Sequence, residues 1–196
     1  MRYSVLSTSD TSFSDYRKLT YMLIIATIPI VVAGLGFSDF IEDRIFNVSS
    51  IAIANLIFAI VLFIVFLNRK ENLSIFEISF KAALLIGLFQ CFALIPGASR
   101  SGMAITGALL IGLNLKDASK FTFLLSIPTI AGALIFLLVD FNQINFDYLN
   151  MLIGFVVSMI VAFFTIKYFL AFVERIGMVP FVMYRVILGL MLLIIF

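Results

Sequence analysis

The sequence predicts an all-α integral membrane protein: a polytopic helical bundle of the inverted-repeat type, with a re-entrant helical hairpin and an incomplete first repeat. Three observations lead there. Of 196 residues, 63% are hydrophobic and 12% charged, with a mean hydropathy of +1.21, whereas a soluble domain has roughly 45–50% and 25%. The charges fall in short breaks between long apolar runs. Two of those runs are too short to cross a bilayer, and they flank a Pro-Gly-Ser break. This composition excludes a soluble enzyme, a nucleic-acid binder and a disulfide scaffold; Cys91 is the one cysteine. With no histidine in the chain, His-based metal sites and His general bases are excluded too. The net charge of +2 says little about partners.

Residues 1–16 are polar and Ser/Thr-rich, without the apolar centre of a signal peptide, and read as a disordered or interfacial tail. Residues 17–196 form one transmembrane domain. Its apolar runs are Leu19–Ser38, Ile45–Asn68, Ala82–Ser99, Ser101–Leu115, Phe121–Val139, Tyr148–Ile166 and Met178–Phe196, the last carrying Arg185. Between Lys81 and Pro96, Ala82–Ile95 would extend about 21 Å as a helix, short of a hydrocarbon layer of about 30 Å. Ser101–Leu115 is equally short. A re-entrant hairpin over about 82–115 accounts for both. It also preserves the charge alternation: Arg2, Arg17, Lys18, Arg69, Lys70, Lys116, Lys120, Lys167 and Arg175 fall on one side, while Asp39–Arg44, Asp140 and Asp147 fall on the other. The basic side is then cytoplasmic, and the tip Pro96–Gly102 points toward the outer half of the membrane.

Ile24–Gly34 (IIATIPIVVAG) and Phe123–Gly132 (FLLSIPTIAG) are similar, and their prolines, Pro29 and Pro128, stand 99 residues apart. Residues 17–75 then form a partial first repeat and 76–196 the second. At that offset the counterpart of the Pro96–Gly102 tip falls at or before Met1, so the sequence is expected to start just after the first repeat's own hairpin.

The tip carries the chemistry. Pro96 ends the first arm, and Gly97 permits a tight turn. Ser99 or Ser101 can cap the second arm, whose open N–H groups and dipole favour an anion. Arg100 adds a full charge and a bidentate fork, while Ser99, Ser101 and Thr106 add hydroxyl donors. Together with the backbone at Gly97 and Gly102 they form a candidate site for a phosphate or diphosphate at membrane depth. The alternative is a plain turn with a snorkelling arginine, but an Arg in mid-membrane costs about 2.5–3.5 kcal/mol on insertion scales, and long apolar segments on both sides leave it little room to snorkel. Elsewhere, Gln90 can either reach this pocket or bond another helix, and Arg185 is either an interfacial anchor or a second phosphate contact. Asn55 reads as a packing residue, Ala104, Ala108 and Gly112 as a packing seam, and Asp39–Arg44 as a solvated loop.

Pro96-Gly97-Ala98-Ser99-Arg100-Ser101-Gly102, with Thr106, resembles the P-G-x-S-R-S-x-x-T signature of the bacterial undecaprenyl-diphosphate phosphatases of the bacitracin-resistance type. Ala82–Gln90, Phe121–Pro128, Tyr184-Arg185 and Leu188-Gly189 are similar to that family as well, and the likeness runs from about Tyr16 to Phe196. It implies a membrane hydrolase that converts undecaprenyl diphosphate to the monophosphate, recycling the lipid carrier of peptidoglycan synthesis in the bacterial inner (plasma) membrane. The site would open toward the periplasm and use a divalent cation, Mg²⁺ or Ca²⁺. The resemblance makes Arg100 the diphosphate-binding residue and has Ser99, Ser101 and Thr106 line the catalytic pocket. The expected partners are the prenyl diphosphate lipid and the membrane, with a homodimer possible and no nucleic acid.

One family feature is missing. An acidic E/Q-x-x-x-E motif with a Ser/Gly/His segment, which the family uses for metal and reaction, has no match in these 196 residues, so the cation's ligands are absent from the sequence. Asp39, Glu42 and Asp43 are the nearest candidates on the outer side. Hydrolysis therefore stands beside a second expectation, a module that binds or transports prenyl phosphate without cleaving it, and a third, a fragment inactive on its own.

Overall fold

The computed structural model describes residues 13–36, 47–139 and 148–196. Seven α-helices lie among them: α1 Phe13–Gly36, α2 Val48–Leu67, α3 Phe80–Cys91, α4 Arg100–Leu110, α5 Leu115–Val139, α6 Tyr148–Ile176 and α7 Val179–Ile195. Short 3₁₀ turns stand at Ile75–Glu77 and Phe92–Leu94, and the described residues contain no strand. Four helices, α1, α2, α5 and α6, are long and apolar enough to cross a bilayer, which makes this a multi-pass membrane protein. α3 and α4, at 12 and 11 residues, reach only about 18 and 16 Å.

Helix ends differ from the sequence reading where helix propensity outruns hydropathy. α1 already starts at Phe13, so the last residues assigned to the polar tail are helical. α5 begins at Leu115 rather than Phe121 and takes in Lys116 and Lys120; α6 runs on past Ile166 to Ile176. These charged turns are good helix formers outside the apolar layer. The first hairpin arm stops at Cys91, sooner than Pro96 requires, because a 3₁₀ turn intervenes. The acidic candidates Asp39, Glu42 and Asp43, the whole Asp39–Arg44 segment, and Asp140 and Asp147 lie outside the described residues.

The helices meet through small side chains. Ala26, Ala52, Ala59, Ala83, Ala104, Ala108 and Ala118 are fully buried, as expected where close van der Waals approach holds membrane helices together. α1 packs on α3 and α5, α2 on α4 and α7, and α4 on α3 and α5. Ala104 and Ala108 belong to this seam. Gly112 instead ends α4 in a turn at φ +96°. α6 is buried nowhere along its apolar stretch and presents Leu152, Phe155, Met159 and Phe163 outward.

The hairpin enters and leaves at one end of the bundle. The N–H groups of Asn72 and Leu73 donate to Gly112 O at 3.0 and 2.9 Å, and Asn114 N–H returns a bond to Leu73 O at 3.2 Å. Asp117 accepts from Ile75 N–H at 3.0 Å and from Asn114 Nδ2 at 3.0 Å. Lys18 reaches Phe76 O at 3.0 Å, Arg69 pairs with Glu71, and Lys116 pairs with Glu174. One end of the molecule thus gathers Lys18, Arg69 and Lys116 with Glu71, Asp117 and Glu174. The hairpin tip lies at the other end, beside Ile51 and Asn55 in the first two turns of α2, about 5–10 Å from where that helix starts.

Candidate functional site

The tip is assembled in a fixed order along the chain. Ile95, extended as a residue before proline must be (φ −83°, ψ 116°), accepts a bond from Ala98 N–H at 3.0 Å. Pro96 and Gly97 are the middle residues of this turn, and a positive φ at its third position (+96° at Gly97) is what type II turns demand of glycine. The turn presses on α2: a Cβ on Gly97 would stand 2.3 Å from Ile51 O.

Ser99 starts α4. Its Oγ accepts from Gly102 N–H at 3.3 Å, and its carbonyl accepts from Met103 N–H at 3.0 Å. Of the two candidate caps it is therefore the one used. It holds φ +67°, ψ 109°, a strained conformation for a residue with a Cβ and one that costs on the order of 1–3 kcal/mol. With Ser99 committed, the half-buried Arg100 and Ser101 stand at the helix start with no side-chain hydrogen bond or ion pair among the described residues. Their backbone N–H groups also have no acceptor among those residues. Thr106 is placed differently from the expected pocket lining. It is fully buried, and its hydroxyl donates to Gly102 O at 2.7 Å, bracing the first turn of α4 from inside.

Two residues from distant helices hold the turn. Arg185, on α7 and 3% exposed, donates from Nη2 to Gly97 O at 2.9 Å, Ala98 O at 3.1 Å and Asn55 O at 3.2 Å. Its Nε donates to Asn55 Oδ1 at 2.8 Å, and Asn55 Nδ2 donates back to Arg185 O at 2.7 Å. Arg185 is therefore no interfacial anchor, and Asn55 does more than pack. The signals for both were in the sequence, a lone charge and a lone amide inside apolar runs, but a pairing across 130 residues left no local trace. Gln90 does not face the tip: its Nε2 donates to Thr129 Oγ1 at 3.2 Å, joining α3 to α5.

Among the described residues, the tip carries charge of one sign. The described carboxylates, Asp15, Glu71, Glu77, Asp117 and Glu174, belong to the other end of the bundle. No group of three or more His, Cys, Asp or Glu side chains able to hold a metal occurs among the described residues. A tip of guanidinium groups, hydroxyls and free N–H donors suits an anion and repels a cation, so these residues do not fit the divalent ion that the resemblance implies.

The family model described as bacitracin resistance protein BacA matches residues 2–191. A protein of Alcanivorax borkumensis named undecaprenyl-diphosphatase is 42% identical over 190 residues, covering 96% of this chain and 72% of the relative. The Pro96–Gly102 turn, the arginine at the start of α4 and the match over nearly the whole chain lead to one assignment: the chain belongs to the BacA bacitracin-resistance family.

Proposed function

We propose that this protein is an undecaprenyl-diphosphate phosphatase, hydrolysing the lipid-carrier diphosphate to the monophosphate and inorganic phosphate, and that the residues described above hold the diphosphate. One observation carries the reading: Arg100, at the open start of α4, has neither a partner nor a paired carboxylate among the described residues. Its fork grips phosphate oxygens. The N–H groups of Arg100 and Ser101, with the Ser101 hydroxyl, complete the cradle, and both the helix dipole and the guanidinium draw charge from the reacting phosphorus. Ser99 and Thr106 keep that cradle in shape. The name of the Alcanivorax relative favours hydrolysis over carriage of an intact prenyl phosphate.

The basic end is read as cytoplasmic by the positive-inside rule, in the bacterial inner membrane. Pro96–Gly102 then forms a re-entrant tip near the outer face, within reach of a diphosphate in the outer leaflet. The Ile-Pro correspondence between α1 and α5 supports the division into repeats at residue 75/76. Light scattering in detergent would tell a homodimer from a monomer.

The test is binding of farnesyl diphosphate, a soluble prenyl diphosphate, to the purified protein. Arg100→Ala removes charge-assisted bonds of about 1.5–3 kcal/mol, so affinity should fall at least about tenfold. Arg100→Lys should recover only part, since it keeps the charge without the fork. Unchanged binding in Arg100→Ala would reduce the motif to a structural turn.

A further inference from the structure

We infer that Arg185 is the second cation of the phosphate site, a residue that builds the tip and also supplies charge to the ligand; the inference rests on the diphosphate-binding reading above. Three observations meet here. First, Arg185 is almost wholly buried and forms no ion pair among the described residues: its acceptors there are the amide of Asn55 and three backbone carbonyls, all neutral. A buried guanidinium without a carboxylate is costly, and folded proteins retain one where something else completes its charge. Second, its donors are unequally used. Nε and Nη2 are engaged, while Nη1 is buried with no acceptor among the described residues. Third, that unused nitrogen is turned to the helix start. A Cβ on Gly102 would lie 3.0 Å from Nη1 and 3.2 Å from Ser99 Oγ. A Cβ at position 102 would crowd both, and glycine lets the guanidinium rest against the first turn of α4.

The missing counter-charge is therefore the ligand. A prenyl diphosphate carries more negative charge than one arginine balances, and a second cation fixed beneath the helix start matches the second phosphate. Arg100 is the mobile gripping group, and Arg185 is the immobile one. Arg185 also draws back the carbonyls of Gly97 and Ala98, which would otherwise turn negative dipoles toward the anion.

The experiment compares farnesyl diphosphate with farnesyl monophosphate on the purified full chain. Arg185→Gln keeps some hydrogen-bonding capacity and loses the charge. Its diphosphate affinity should drop at least about tenfold, and its preference for diphosphate over monophosphate should shrink. Arg185→Lys should lose less than the Gln variant. A second variant guards against misfolding: Asn55→Asp keeps the acceptor for Nε and hands Arg185 a carboxylate, so helix content should persist while diphosphate affinity falls. The inference is overturned if Arg185→Gln and Asn55→Asp bind diphosphate as the native protein does, or if the Lys and Gln variants lose equally with the diphosphate preference intact. Failure of the native protein to bind farnesyl diphosphate at all would instead overturn the functional reading beneath it.

Discussion

Replacing Gly97 by alanine should damage this protein far more than the addition of one methyl group suggests. Two independent costs arise. At φ +96° an L side chain is strained, and such conformations cost on the order of 1–3 kcal/mol. The new Cβ would also stand 2.3 Å from Ile51 O and 3.1 Å from Asn55 N. Both are backbone atoms of α2, so no side chain can swing aside, and relief comes only by moving the turn. Overpacking of that kind costs typically 1–3 kcal/mol. The expected destabilisation is therefore about 2–6 kcal/mol, accompanied by loss of farnesyl diphosphate binding as Gly97 O and Ala98 O leave Arg185. Unfolding in mixed detergent measures the first effect and ligand titration the second. Gly154→Ala on α6 is the control, because nothing lies within 4 Å of its new methyl; it should be neutral or slightly stabilising. If Gly97→Ala matches that control in both assays, the close contact between tip and α2 is wrong.

Other expectations follow from single contacts. Gln90→Leu removes the bond to Thr129, whose hydroxyl keeps Leu125 O; a loss of about 0.6 kcal/mol, and no more than about 1.7, is expected in detergent unfolding. Glu77 caps its own 3₁₀ turn by accepting Ser74 N–H at 2.7 Å, and the backbone and side-chain bonds from Ser74 hold its carboxyl below the usual glutamate value. Because the folded value is the lower one, the stabilisation is complete above the ordinary carboxylate range and disappears as pH falls through the lowered value. Protection of the Ser74 amide against exchange, corrected for the intrinsic pH dependence of the rate, should therefore fall on acidification in the native protein and stay nearly level in Glu77→Gln. Phosphate release from undecaprenyl diphosphate should fall at least about tenfold in Arg100→Ala and recover only in part in Arg100→Lys. Release that Arg100→Ala leaves unchanged would show that the gripping group has been misassigned.

The membrane class, the hairpin and the tight turn at its tip were legible because each rests on local physics. Run length against bilayer thickness separated α3 and α4 from the full spans, and Pro96, Gly97 and Ser99 have backbone requirements that a sequence states outright. Helix ends were less legible: at Lys116, Lys120 and Lys167 hydropathy marks the edge of the lipid layer, whereas the backbone hydrogen bonds continue past it. Thr106 was less legible, because a hydroxyl one turn into a helix can serve a ligand or its own backbone; here it donates to Gly102 O. Arg185 and Asn55 stood out as anomalies, but nothing in either residue's own neighbourhood shows the other.

The distance along the chain between the tip and its brace bears on how the protein is made. Gly97 and Arg185 are 88 residues apart. At about 5–20 residues per second, the ribosome completes the turn roughly 4–18 s before it reaches the arginine that secures it. During that interval Gly97 O and Ala98 O lack the donor that holds them in the finished protein. Because both hairpin arms meet at Leu73 and Gly112 on one side of the bundle, no flanking loop has to be carried across the membrane with the tip. A chain that stalls before Arg185 keeps α1 to α6 but lacks the donor that holds Gly97 O and Ala98 O, so laying down the spans and setting the tip are separate events in this molecule.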